Sequence, residues 1–204
     1  MVIKAQGDKK MKIYFIRHGE SVANHAKLHS GWSQVPLSAK GEKDAERSGR
    51  ILAGLKFDKV FSSDIKRAMQ TCEIALPGVQ YQPIDLLREI NVGFLAGRSF
   101  EECREEYGEE YAENRKNYEF KKYGGECYDE FLSRTKAFLE MAVASEHECI
   151  AAFCHGGFIN NLVDVIVGTR TDRSLFSCHN CSVTVLEYKN ESWNLLLWNY
   201  TGEI

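Results

Sequence analysis

Two histidines, each closing an apolar run and each followed by glycine, hold the clearest chemical potential in this sequence. The first lies in Met11-Lys-Ile-Tyr-Phe-Ile-Arg-His-Gly-Glu-Ser-Val-Ala-Asn24, the second in Cys149-Ile-Ala-Ala-Phe-Cys-His-Gly-Gly157. In the first, Arg17 supplies a cation, His18 an imidazole and Gly19 a backbone that an anion can lie against. In the second, His155 and Gly156-Gly157 lead into an apolar stretch that reads as a helix, whose free N–H groups favour phosphate. Arg67, in Ser62-Ser-Asp-Ile-Lys-Arg-Ala-Met-Gln-Thr71, adds a planar fork suited to two phosphate oxygens. One such histidine alone reads as a turn or core residue, and one such arginine as a surface charge. Their recurrence in one chain points to a shared oxyanion pocket. Arg88-Glu89, in a glycine-containing loop, reads on its own as a surface pair of little energetic weight.

The elements that must position these residues follow from periodicity. Strands are predicted at Ile13–Ile16, Lys59–Ser62, Val79–Ile84 and Cys149–Cys154, with a terminal hairpin of Ser182–Tyr188 and Trp193–Tyr200 around Lys189-Asn190. Helices are predicted at Ala39–Leu55 capped by Ser38, at Ile65–Leu76 capped by Ser63-Asp64, and at Phe100–Phe120, Tyr128–Ala144 and Phe158–Val167. Ser21–Pro36 reads as an ordered loop or short helix, and Leu86–Gly97 as loop. Strands alternating with helices argue for a layered α/β domain with a mostly parallel sheet. Ligands of such sheets bind beyond the carboxyl ends of the strands, where both His-Gly segments fall.

Composition removes other classes. The 204 residues, 44% of them apolar, suffice for one sizeable core and one domain. Residues 1–10 read as a loose extension before it. A net charge of −3 gives no footprint for nucleic acid, and no apolar run reaches membrane-spanning length. Seven scattered cysteines, with no apolar export segment ahead of them, read as reduced thiols of a cytoplasmic protein. Cys178-x-x-Cys181 has no second pair to complete a tetrahedral site, so no metal is expected there.

Taken in order, Arg17-His18-Gly19-Glu20-Ser21 with Asn24, Leu37-Ser38 with Gly41, Ser63-Asp64 with Arg67-Ala68 and Thr71, Glu89 with Gly93 and Gly97, and His155-Gly156-Gly157 resemble the histidine phosphatase superfamily, the group that includes cofactor-dependent phosphoglycerate mutases. The resemblance runs from Met11 to about Tyr188 and implies a three-layer α/β/α sandwich over residues 11–204. It implies that His18 is the nucleophile, attacking phosphorus from Nε2 while a hydrogen bond to its other nitrogen fixes the tautomer. Arg17, Asn24, Arg67, His155 and Gly156 would hold the phosphoryl oxygens, and Glu89 would be the proton donor to the leaving group. The arginines would supply the positive charge, so neither metal nor cofactor is expected.

The same site can pass the phosphoryl group to water or to a second hydroxyl. Mutases of this family carry a tyrosine where this chain has Val92, a lysine where it has Phe100, and adjacent arginines followed by a proline-rich insertion. Arg115-Lys116-Asn117-Tyr118 is a partial echo of the arginines, and no proline follows Pro83. The expectation is therefore a phosphatase of small phosphomonoesters. A cofactor-dependent phosphoglycerate mutase is the alternative, and a non-catalytic phosphate-binding protein the more distant one. The substrate partner expected is a small molecule; the sequence does not set an oligomeric state.

Overall fold

The computed structural model describes residues 9–172 and 175–202. Six strands form one sheet: β1 (Met11–Arg17), β2 (Lys59–Ser63), β3 (Gln82–Ile84), β4 (Cys149–Cys154), β5 (Val183–Lys189) and β6 (Ser192–Tyr200), in the spatial order β3-β2-β4-β1-β5-β6. β3, β2, β4 and β1 run parallel, whereas β5 is antiparallel to β1, and β6 to β5. The register Ile16↔Phe153 and Arg17↔Cys154 brings the two His-Gly segments out side by side.

The side-chain period of two divides the core between the faces of this sheet. Ile13, Phe15, Ile150, Ala152 and Cys154 join one buried cluster with Phe131 and Phe138 of α5 (Tyr128–Ala144) and Phe158 and Leu162 of α6 (Gly156–Val167). Ile16, Ala151 and Phe153 join the other, with Leu52 of α2 (Ala39–Leu52) and Cys72 and Ala75 of α3 (Lys66–Ala75). The result is an α/β/α sandwich. A short α1 (Val22–His25) and α4 (Phe100–Asn117) lie over the carboxyl edge of the sheet, and among the described residues no helix is long and apolar enough to cross a membrane.

Several boundaries differ from the sequence reading. The strand expected at Val79–Ile84 shrinks to Gln82–Ile84, because Pro77-Gly78 turns the chain and leaves Val79 exposed. The single helix expected at Phe100–Phe120 is broken at Gly108, whose φ of 64° and ψ of −148° are non-helical. Ser38 caps α2 as expected, its hydroxyl accepting from Gly41 N. Ser63-Asp64 does not cap α3: Ile65 is the N-cap, and Gln34 Oε1 accepts from Lys66 N instead. Ser63 and Asp64 are drawn elsewhere, to His155 and to Arg88. The hairpin turn sits one residue later than expected, on Asn190 and Glu191, both at positive φ as a type I′ turn requires. Of the extension expected at 1–10, residues 1–8 lie outside the described residues; Lys9 donates to the Val143 and Ser145 carbonyls and Lys10 pairs with Glu187 at 3.5 Å.

Phe138 is fully buried, its ring 5.9 Å from that of Phe15, 5.8 Å from Phe61 and 6.0 Å from Phe158. Phe138→Ala should lower the unfolding free energy by about 3–5 kcal/mol, read as a shift in urea midpoint at constant slope.

Candidate active site

Four parallel strands deliver the polar residues to one edge. His18 follows the last residue of β1 and His155 the last residue of β4; Arg67 stands in the first turn of α3 after β2, and Glu89 follows β3 by a single 3-10 turn. The imidazoles of His18 and His155 meet edge to face with ring centres 5.1 Å apart, and both are buried.

Arg67 binds the two rings together. Its side chain is 1% exposed, and all three guanidinium nitrogens are engaged. Nε donates to His18 Nε2 at 3.1 Å, Nη2 to His155 Nδ1 at 3.2 Å and to the Gly31 carbonyl at 2.9 Å, and Nη1 to the Ser33 carbonyl at 3.1 Å. Because guanidinium has no acceptor, these contacts assign both tautomers. His18 must carry its proton on Nδ1, which donates to the Gly19 carbonyl at 2.6 Å, leaving a lone pair on Nε2. His155 must carry its proton on Nε2, which donates to Ser63 Oγ at 2.9 Å. Burial first, then the charges of Arg67 and Arg17, hold the His18 pKa well below the usual value; His155 is lowered by burial, then by Arg67. Arg67 is itself lowered by burial, to about 10, and so stays charged at neutral pH.

The loop carrying His18 is packed backbone to backbone. A Cβ on Gly19 would strike the Gly41 carbonyl, and one on Gly41 would strike the Glu20 carbonyl, so the start of α2 lies directly on the loop. Gly19 N donates to Thr71 Oγ1 at 3.0 Å, and Asn180 Nδ2 to the His18 carbonyl at 2.9 Å. Arg17 Nη1 donates to the Cys178 carbonyl, while its buried Nε has no partner among the described residues. The guanidinium lies over Gly156, where a Cβ would come within 3.2 Å of Nε. Asn24 Oδ1 accepts from Ser21 N in a capping box for α1, leaving its amide NH2 as the donor end, and the residue lines the cavity.

Glu89 reaches the site from the opposite wall. Its carboxyl oxygens accept from Ile90 N at 3.0 Å and Gly157 N at 3.1 Å. Gly157 has no room for a side chain, because Glu89 and the Tyr118 hydroxyl occupy the space. Arg88 does not pair with Glu89 as a surface couple; it binds Asp64, with Nε to Oδ1 at 2.7 Å. The structure thus brings Arg17, His18, Asn24, Arg67 and Glu89 around one cavity of about 160 Å³, with His155 bonded beneath Arg67 and Gly156 under Arg17.

Sequence reading did not find Arg134 as part of this arrangement. From α5 it donates to the Leu86, Arg88 and Glu89 carbonyls at 3.0–3.1 Å and to both carboxylate oxygens of Glu126 at 2.8 and 2.9 Å. Trp32 Nε1 also donates to the Glu89 carbonyl, at 2.7 Å. The signal available was the Gly125-Glu126 spacing to Arg134; carbonyl partners leave no trace in residue types.

Arg134→Met removes five hydrogen bonds from a mostly buried cation and should cost on the order of 3 kcal/mol of stability, measured by urea unfolding. A second expectation concerns pH. Burial, then the Arg115 charge, lowers the pKa of His29 from 6.5 to about 4, while its Nε2 lies 2.5 Å from the Tyr111 hydroxyl. His18, His29 and His155 are neutral when folded and take up protons when unfolded below 6.5, so the unfolded chain binds more protons. Stability should therefore fall as pH drops from 6.5 towards 4, and His29→Asn should make the fall of urea midpoint shallower.

Comparison with known proteins agrees with this geometry. The family description "Histidine phosphatase superfamily (branch 1)" matches residues 13–201. A 2,3-bisphosphoglycerate-dependent phosphoglycerate mutase of Streptococcus pneumoniae is 38% identical over 107 residues, covering 49% of this chain and 46% of that protein, so the chain spans about half the length of the curated relatives it matches. Among solved structures, a putative alpha-ribazole-5'-P phosphatase of Escherichia coli superposes with a TM-score of 0.82 at 24% identity, covering 95% of this chain and 99% of that one. A phosphoglycerate mutase of Bacillus anthracis does so at 0.81 and 22%, covering 95% of each chain. A mycobacterial glucosyl-3-phosphoglycerate phosphatase does so at 0.83 and 22%, covering 93% and 99%. These structural likenesses carry the fold, and the family match extends across every strand that delivers a residue to the site: the chain belongs to the histidine phosphatase superfamily, branch 1.

Proposed function

We propose that this protein is a phosphatase that hydrolyses small phosphomonoesters through a phosphohistidine on His18. The observation that carries the reading is the Nε2 lone pair of a neutral, buried His18 in contact with the Arg67 guanidinium. In this reading the substrate phosphoryl group takes the place of that contact. The Nε2 lone pair forms the N–P bond as the bond from phosphorus to the ester oxygen breaks. Arg67 and Arg17, whose buried Nε has no partner among the described residues, donate to the equatorial oxygens, where charge shifts in the transition state. Glu89 gives its proton to the departing alkoxide, then takes one from water, whose oxygen attacks phosphorus and restores His18 with release of phosphate.

A mutase reading is favoured by the names of the curated relatives, which are phosphoglycerate mutases. Against it, the cavity wall carries Val92 and Phe100 where mutases of the family carry tyrosine and lysine. The two readings separate in one experiment: inorganic phosphate release from aryl and alkyl phosphates compared with interconversion of phosphoglycerates, each with a His18→Ala control. Phosphate release dependent on His18 is expected, and interconversion outpacing it would establish the mutase. Turnover of neither above the control would leave a phosphate-binding protein. Glu89→Gln should slow alkyl phosphates by about 10²-fold or more and aryl phosphates much less, since only poor leaving groups need the proton.

A further inference from the structure

Beyond the phosphoryl-binding end, Leu28, Ile90, Val92, Phe100, Tyr118 and Phe120 supply most of the side chains that line the active-site cavity, with Ser30 as a polar neighbour. Ile90, Val92 and Phe120 are buried, and Phe100 and Tyr118 half-buried. We propose that this end takes an apolar, ring-sized group, so that the preferred substrates are phosphomonoesters of apolar or aromatic alcohols rather than of polyols or hydroxy acids. The inference rests on the phosphatase reading above and adds the substrate class.

Three observations support it. First, the charged groups on the cavity wall are accounted for. Arg17, Arg67 and Glu89 belong to the phosphoryl end, which leaves Arg115 as the one further formal charge among the lining residues. Its guanidinium carbon lies 4.3 Å from the ring centre of Phe100, a stacked position on an exposed side chain that adds a flat surface to the cavity mouth. Second, His29, which also lines the cavity, is no anion receptor. It is pressed between the rings of Phe100 at 4.6 Å and Tyr111 at 5.7 Å, hydrogen-bonded to the Tyr111 hydroxyl, and 5% exposed. Third, the size is limited. The cavity holds about 160 Å³ and opens to solvent, enough for a phosphoryl group and a short or single-ring apolar group at its mouth, given that a closed apolar cavity of about 150 Å³ accepts benzene. Polyol hydroxyls set against Ile90, Val92 and Phe120 would lose water without gaining partners, a penalty that discriminates strongly between substrates.

The test uses three alkyl monoesters with similar leaving alcohols, so that chemistry does not mask recognition: 2-phenylethyl phosphate, glycerol 3-phosphate and 3-phosphoglycerate. Phosphate release is measured for the wild-type chain, with His18→Ala as the blank. The expected result is a kcat/KM for 2-phenylethyl phosphate about tenfold or more above either of the others. Phe100→Ser should narrow that ratio. Glycerol 3-phosphate matching or exceeding 2-phenylethyl phosphate overturns the inference and leaves the phosphatase reading intact. So does 3-phosphoglycerate in the lead, which would make Arg115 a receptor for a substrate acid. Turnover of none of the three above the blank overturns the phosphatase reading and this one with it.

Discussion

A cation removed from water with no carboxylate bonded to it is the constraint from which the rest of this site follows. Arg67 is held by two backbone carbonyls and two imidazole nitrogens; among the described residues no carboxylate is hydrogen-bonded to it, and Glu89 attracts it through space. Burial disfavours the charged form of both histidines, and a cation so placed adds to it by disfavouring a second charge beside it. The same cation selects their tautomers by occupying one nitrogen of each. Burying it is costly, and the carbonyls of Gly31 and Ser33 lower that cost by accepting from it. An incoming phosphoryl dianion would meet a cation with no carboxylate bonded to it among the described residues, in a medium where electrostatic interactions are strong.

The surrounding structure keeps that arrangement fixed. Parallel strands bring His18 and His155 to adjacent positions, and the sequence distance between them is bridged by the register of β1 and β4. Glu89 has no strand directly behind it, and Arg134, Trp32 and the Arg88–Asp64 pair together secure its stretch of backbone. The Glu89 carboxyl is thus held from a loop as firmly as a strand end would hold it.

Much of this was readable from residue types. Apolar runs ending in His-Gly located two strand ends, Ser38 located a helix start, and the ordered motifs placed Arg67 and Glu89. What was not readable depended on partners that are backbone or distant in sequence. Ser63 and Asp64 have the composition of a helix cap, yet His155 and Arg88 compete for them and win. Gly108 inside a charged, helix-favouring stretch gives no warning that the chain breaks there, since an isolated glycine in a helix is tolerated at modest cost. The hold of Arg134 on the Glu89 stretch was not readable, because three of its acceptors are main-chain oxygens.

The backbone contact between Gly19 and Gly41 decides where this molecule can give way. With no side chain between them, the His18 loop and the head of α2 cannot slide apart without breaking the Ser38 N to Glu20 O bond of 2.8 Å and exposing main chain to a gap too narrow for water. That wall is a fixed anvil. Phe100 and Arg115, on another side of the cavity, belong to α4, which is interrupted at Gly108 and ends at Tyr118 in a left-handed turn. A movement that admits a bulkier molecule is therefore expected on the α4 side of the cavity, where the helix is already interrupted, rather than at the His18 loop.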